Sequence, residues 1–200
     1  FICMDAQLLI EERLKNSVEA KSRFVQTAMA DILRLAAMMR QVLEAGGTLY
    51  FFGNGGSAAD AQHLAAEFVN RFCLNRRPLP ALALTTDSSA LTAIANDFSF
   101  EQIFSKQLEA FGKKEDLAVG ISTSGRSPNV VKAIEVAKII GMQTAALTGG
   151  IGQLETPLHK LCDVVLNVPS SVTAHIQEAH LFAEHILCEL VERAMFPEAC

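Results

Sequence analysis

Apolar residues recur at helical spacing from Asp5 to Ala45, through Leu8, Leu9, Leu14 and Val18 and then Phe24, Ala28, Ile32, Leu35, Met39 and Leu43. The pattern predicts two long helices, or one bent near Asn16 to Lys21, stopped by Gly46-Gly47. Beyond the glycines it changes to short apolar runs that read as strands: Thr48 to Phe52, Ala81 to Leu84, Leu117 to Ile121, Gln143 to Thr148 and Asp163 to Val168. Between and after them, helical spacing returns from Ala59 to about Phe72, from Asp87-Ser88 to Ala95, from Phe100 to Phe111, from Asn129 to Ile140 and from Thr173 to Ala194. Strands alternating with helices in this way predict an α/β fold, a doubly wound five-stranded parallel sheet flanked by helices, with an N-terminal helical extension. Residues 1–200 read as one domain, with 46–197 forming the α/β core and C-terminal helix. The helical residues 5–45 exceed what one sheet needs for cover, so they are expected to be an oligomerisation segment.

Composition narrows the function classes. With 200 residues, half of them hydrophobic, the chain can bury a substantial core. A net charge of −5, with 17 basic residues scattered along the chain, gives no footprint for nucleic acid. No apolar stretch approaches the roughly 20 residues a membrane span needs, and none reads as a signal peptide, so a cytoplasmic protein is expected. Five cysteines (Cys3, Cys73, Cys162, Cys188, Cys200) without a C-x-x-C pair are expected to be reduced thiols. Residues 1 to 3, opening on Phe1, are given no meaning.

The stretch that points to chemistry follows the central strand. Ser122, Thr123, Ser124 and Ser127 surround Gly125, and Pro128 suits the first turn of the helix behind them. A helix cap would need only one hydroxyl. Four of them, with a freed backbone and a helix N-terminus at the carboxyl end of a strand, suit a phosphate. No G-x-x-x-x-G-K-[ST] loop occurs, which argues against a nucleotide triphosphatase. A second turn, Gly53-Asn54-Gly55-Gly56-Ser57-Ala58, resembles a dinucleotide fingerprint only superficially, because that motif requires glycine where Ala58 stands. Its content is small polar groups, Asn54 and Ser57, at a helix mouth where backbone can approach a ligand.

Candidate acid–base groups lie on two helices. His63 and Glu67 are four residues apart and share a face. The last helix carries His175, His180 and His185 with Gln177, Glu178 and Glu184. On a regular helix His185 is nearly in line with Glu178, about 80° from Gln177 and roughly 140° from His180, so at most two of the histidines can share a pocket. A carboxylate beside an imidazole, with a phosphate anchor elsewhere, equips a site to move a proton next to a carbonyl. Two imidazoles, a carboxylate and an amide oxygen could equally hold Zn²⁺.

Taken in order, Gly53-Asn54-Gly55-Gly56-Ser57-Ala58, Ala95-Asn96-Asp97, Ile121 to Ser127 and Thr173-Ala174-His175-Ile176-Gln177-Glu178 resemble sugar isomerase (SIS) domains and, among them, the phosphoheptose isomerase family, from roughly Leu8 to Pro197. The resemblance implies a homotetramer with sites between subunits. It implies an aldose–ketose isomerase that converts sedoheptulose 7-phosphate, through an enediol, to an aldose heptose 7-phosphate destined for bacterial lipopolysaccharide. By the same resemblance Ser122, Thr123, Ser124 and Ser127 bind the phosphate, and Asn54, Gly55, Gly56, Ser57, Asn96 and Asp97 line the sugar. Glu67 is the base, His185 its acid–base partner, and His63, Glu67, Gln177 and His185 are the zinc positions. Helical phasing favours Glu178 as the companion of His185, and the resemblance favours Gln177. Alternatives are an isomerase of another phosphosugar, or a non-catalytic SIS protein that binds a phosphosugar or, like one cousin, the replication initiator. That cousin lacks the acidic residue and the final histidine, both present here as Glu67 and His185.

Overall fold

The computed structural model describes residues 5–152 and 155–199. Cys3 and Cys200, two of the expected thiols, lie outside the described residues, as do residues 1 to 3; Cys73, Cys162 and Cys188 are free. A single helix, α1 (Ala6–Glu44), precedes the first strand. It begins where the Asp5 carboxylate accepts from the Gln7 N–H at 2.9 Å, contains no glycine or proline, and stops before Gly46, whose φ is +82°. The segment from Asn16 to Lys21, where the sequence reading allows a break or bend, is helical throughout.

The chain continues through β1 (Leu49–Gly53), α2 (Gly56–Val69), β2 (Ala81–Ala83), α3 (Ser88–Asp97), a 3-10 turn (Phe100–Gln102), α4 (Ser105–Phe111), β3 (Leu117–Ile121), α5 (Pro128–Ile140), β4 (Gln143–Gly149), α6 (Pro157–Leu161), β5 (Val164–Val168) and α7 (Thr173–Met195). The helix read over Ala59 to about Phe72 lies at Gly56–Val69. The helix read over Phe100 to Phe111 is a 3-10 turn followed by α4, and the short α6, opened by Pro157, carries no readable periodicity.

All strand pairs are parallel, in the order β2-β1-β3-β4-β5. Alternation along the strands feeds two cores. Leu49 and Phe51 of β1 point into one with α1, α2 and α7, while Tyr50 and Phe52 point into the other with α4, α5 and α6. The sheet is therefore covered on both faces, which is why its central strands are apolar throughout. The strand order reverses between β1 and β3, the switch point at which open α/β sheets collect ligands beyond the carboxyl ends of their strands. The glycine turn and the hydroxyl turn are the two loops that leave this point. Among the described residues no helix is long and apolar enough to cross a membrane.

Candidate active site

The hydroxyl turn is built around one backbone requirement. Gly125 has φ +65°, and a Cβ there would meet Thr156 Oγ1 at 2.5 Å, so the turn folds against the start of α6 only because the residue is glycine. Within it the Ser122 and Ser127 hydroxyls lie 2.9 Å apart and the Arg126 N–H donates to Ser124 Oγ. Thr123 and Ser124 face Ser170, Ser171 and Thr173 across a cleft of about 280 Å³. The hydroxyls of this turn thus face a second set across the cleft, the far wall standing at the N-terminus of α7.

The glycine turn docks onto the first turn of α5, the helix behind the hydroxyl turn, through a pair of amides. Asn54 Nδ2 donates to Asn129 Oδ1 at 2.9 Å, and Asn129 Nδ2 donates back to Asn54 Oδ1 at 2.8 Å. Asn129, buried in the first turn of α5, went unnoticed in the sequence because nothing local distinguishes it. Gly55 has φ +57° at the mouth of α2, and with Asn54 it borders a pocket of about 150 Å³ that reaches Thr85 and Phe104. Ser57 is buried beneath the turn. Gly56 lies against the Gln177 amide, where any Cβ would collide with Nε2. Asn96 and Asp97 are exposed at the end of α3, and their polar contact is with each other, Asn96 Nδ2 donating to Asp97 Oδ1 at 2.8 Å.

The candidate acid–base groups His63, Glu67 and His185 meet between α2 and α7. His63 Nε2 is 2.8 Å from His185 Nε2, and Glu67 Oε1 is 3.6 Å from His63 Nε2. One ring must present Nε2–H and the other a bare nitrogen. The Phe72 ring lies nearly flat on His185, centroids 5.3 Å apart and 18° between planes, and closes one side of the site. His63, Glu67 and His185 all remain partly exposed.

The remaining polar groups of α7 separate from this cluster. Glu178 turns to α1, accepting from Ser17 Oγ and Lys21 Nζ, contacts that hold its carboxyl below the ordinary range. The phasing preference for Glu178 beside His185 is therefore corrected, because α1 supplies partners that a helical wheel omits. His180 is fully buried and donates from Nε2 to the Thr148 carbonyl at 2.9 Å; burial pushes its pKa down to about 4, against that hydrogen bond. His175 borders a separate groove with Arg13 and Lys21. Glu184 is fully buried with neither carboxyl oxygen partnered among the described residues, and burial, then the charge of Asp60, raises its pKa to about 8.

The chain matches the SIS domain family over residues 14–149. A phosphoheptose isomerase of Solidesulfovibrio magneticus is 52% identical over 193 residues, covering 96% of this chain and 92% of that protein. The phosphoheptose isomerase structure from Neisseria gonorrhoeae superposes with a TM-score of 0.87 at 41% identity, over 94% of this chain and 99% of that one. The structure of a phosphoheptose isomerase from Francisella tularensis gives 0.90 at 37% identity, over 95% and 100%. The sugar isomerase domain of an RpiR transcription factor from Sphaerobacter thermophilus, 18% identical with a TM-score of 0.66, shares the fold alone.

Proposed function

The chain belongs to the SIS-domain family and, within it, to the phosphoheptose isomerases, and from that premise we propose that it interconverts sedoheptulose 7-phosphate and an aldose heptose 7-phosphate with the His63–Glu67–His185 cluster as its chemical centre. The observation that carries the reading is the convergence of Glu67 and His185, from two helices, on one partly exposed spot.

The residues divide the work. Ser122, Thr123, Ser124 and Ser127, with the freed backbone at Gly125 and the N-terminus of α5, hold the phosphate. Asn54, Gly55, Gly56, Ser57, Asn96, Asp97 and Gln177 line the sugar. Glu67 removes a proton from C1 of the ketose while the carbonyl oxygen on C2 gains one, giving the enediol. Return of a proton to C2 and loss of the O1 proton leave the aldehyde, with His185 carrying the oxygen-bound protons. No oxidant or reductant is consumed. Anchoring the phosphate and placing the far end of the sugar against Glu67 is worth several kcal/mol of barrier, about 7–11 at the optimum.

His63, Glu67 and His185 supply the two imidazole nitrogens and the carboxylate that zinc takes, and Gln177, whose amide lies against Gly56, would add an amide oxygen as the fourth donor. Among the described residues no trio of histidine, cysteine, aspartate or glutamate is closed into a metal cage, and a tetrahedral ion keeps its ligand atoms roughly 3.3 Å apart, so loading requires the two imidazoles to part. When bound, zinc would polarise the carbonyl and hydroxyl oxygens of the substrate.

The assembly we propose is a homotetramer in the cytoplasm, with its sites between subunits. Leu8, Ile10, Leu14 and Val18 on the N-terminal turns of α1 are each more than half exposed, an apolar surface that a second copy would cover. Steady-state turnover of sedoheptulose 7-phosphate by wild type and Glu67→Gln tests the reading. Loss of turnover with the sugar phosphate still bound is expected; full turnover in the variant removes Glu67 from the base role.

A further inference from the structure

The carboxyl end of α2 is held by an ion pair outside the chemical cluster. Arg76 and Glu192 have side chains only 1% and 0% exposed, with Arg76 Nε donating to Glu192 Oε1 at 2.8 Å. The rest of the guanidinium fork is spent on backbone. Nη2 donates to the Glu67 carbonyl at 2.8 Å, and Nη1 donates to the carbonyls of Phe68, Asn70 and Arg77 at 2.8, 3.2 and 3.0 Å. The last carbonyls of a helix have no partner within it, and a planar five-donor cation is the side chain suited to several at once. Here those carbonyls include that of Glu67 itself.

Glu192 completes the arrangement. Its oxygens accept from the N–H groups of Phe72, Cys73 and Leu74 at 2.7, 2.8 and 3.0 Å. Phe72 is the residue whose ring lies on His185. Glu192 also stands on α7, seven residues after His185, so the pair ties the backbone of Glu67 to the helix that carries its partner.

We propose that Arg76 and Glu192 are positioning residues for the isomerisation, a buried brace that sets Glu67 and the Phe72–His185 stack at their working separation. The proposal rests on the reading of Glu67 and His185 as the acid–base pair. The brace lies away from the hydroxyl turn on β3 and α5, so its loss should damage the chemical step and spare phosphate binding.

The test compares wild type, Glu67→Gln, Arg76→Lys and the apolar double replacement Arg76→Met with Glu192→Leu, each assayed at a temperature where circular dichroism shows it folded. A misplacement of about 1 Å costs on the order of 100-fold in rate. The double replacement is expected to lower kcat by 30- to 100-fold with KM for sedoheptulose 7-phosphate within about threefold, and Arg76→Lys, which keeps the charge but loses the fork, to fall between. Where the double replacement does not fold, Arg76→Lys carries the test. Wild-type kcat in a folded brace variant, or a change in KM alone, overturns the brace while leaving the base reading intact. Full turnover in Glu67→Gln overturns both.

Discussion

Glu184→Gln isolates a buried carboxyl for which the described residues offer no hydrogen-bond partner. The wild-type carboxyl is fully buried, neither oxygen has a partner among the described residues, and burial followed by the Asp60 charge lifts its pKa from 4.5 to about 8. A raised acid keeps in the folded state a proton that the unfolded chain has already released. Its contribution to stability is therefore full below pH 4.5 and is lost as pH rises toward 8. At about 1.4 kcal/mol per pKa unit, the loss between pH 5 and pH 8 is about 3–4 kcal/mol. Asp60, raised to about 6, mainly by burial, adds a loss of the same sign, and His180, lowered to about 4, loses stability instead as pH falls below 6.5. Glutamine keeps the size and shape of the side chain and does not titrate, so the difference between variant and wild type removes those other groups. Urea unfolding followed by circular dichroism at pH 5, 6.5 and 8 is the assay. The variant should gain on wild type by about 3–4 kcal/mol across that range. Parallel stability curves would refute the reasoning, since they would mean that Glu184 finds a partner and ionises in the folded protein.

Gly125→Ala places a side chain at φ +65° and drives its Cβ into Thr156. At about 1–2 kcal/mol for the backbone alone, KM for the sugar phosphate should rise about 5- to 30-fold, which steady-state kinetics will show. Dialysis against a chelator should lower turnover, with zinc restoring it, and His63→Ala should weaken zinc retention measured by elemental analysis; undiminished activity in metal-free protein would count against the zinc positions.

The sheet was legible because strands covered on both faces read as unbroken apolar runs, as Leu117 to Ile121 does. α6 was not, since five residues behind a proline are too short to show a period. Phe100 to Phe111 read as one helix because Ile103, Phe104 and Leu108, at helical spacing, all enter one core, and periodicity reports burial rather than hydrogen bonding. Ser122 to Ser127 announced itself because its chemistry is local. Asn129 did not, because its meaning depends on Asn54, 75 residues away. Arg76 and Glu192 looked like ordinary charges until the fold brought them together from 116 residues apart. Gln177 and Glu178 show the limit of phasing most sharply: a helical wheel holds one helix, and Ser17 and Lys21 on α1 decide where Glu178 points.

The central claim, proton transfer through an enediol by the cluster of Glu67 and His185, is tested most directly by turning over sedoheptulose 7-phosphate in deuterated water with wild type and Glu67→Gln. The account predicts aldose product from wild type carrying deuterium at C2, and neither product nor exchange from the variant. Deuterated product from Glu67→Gln at the wild-type rate would contradict it.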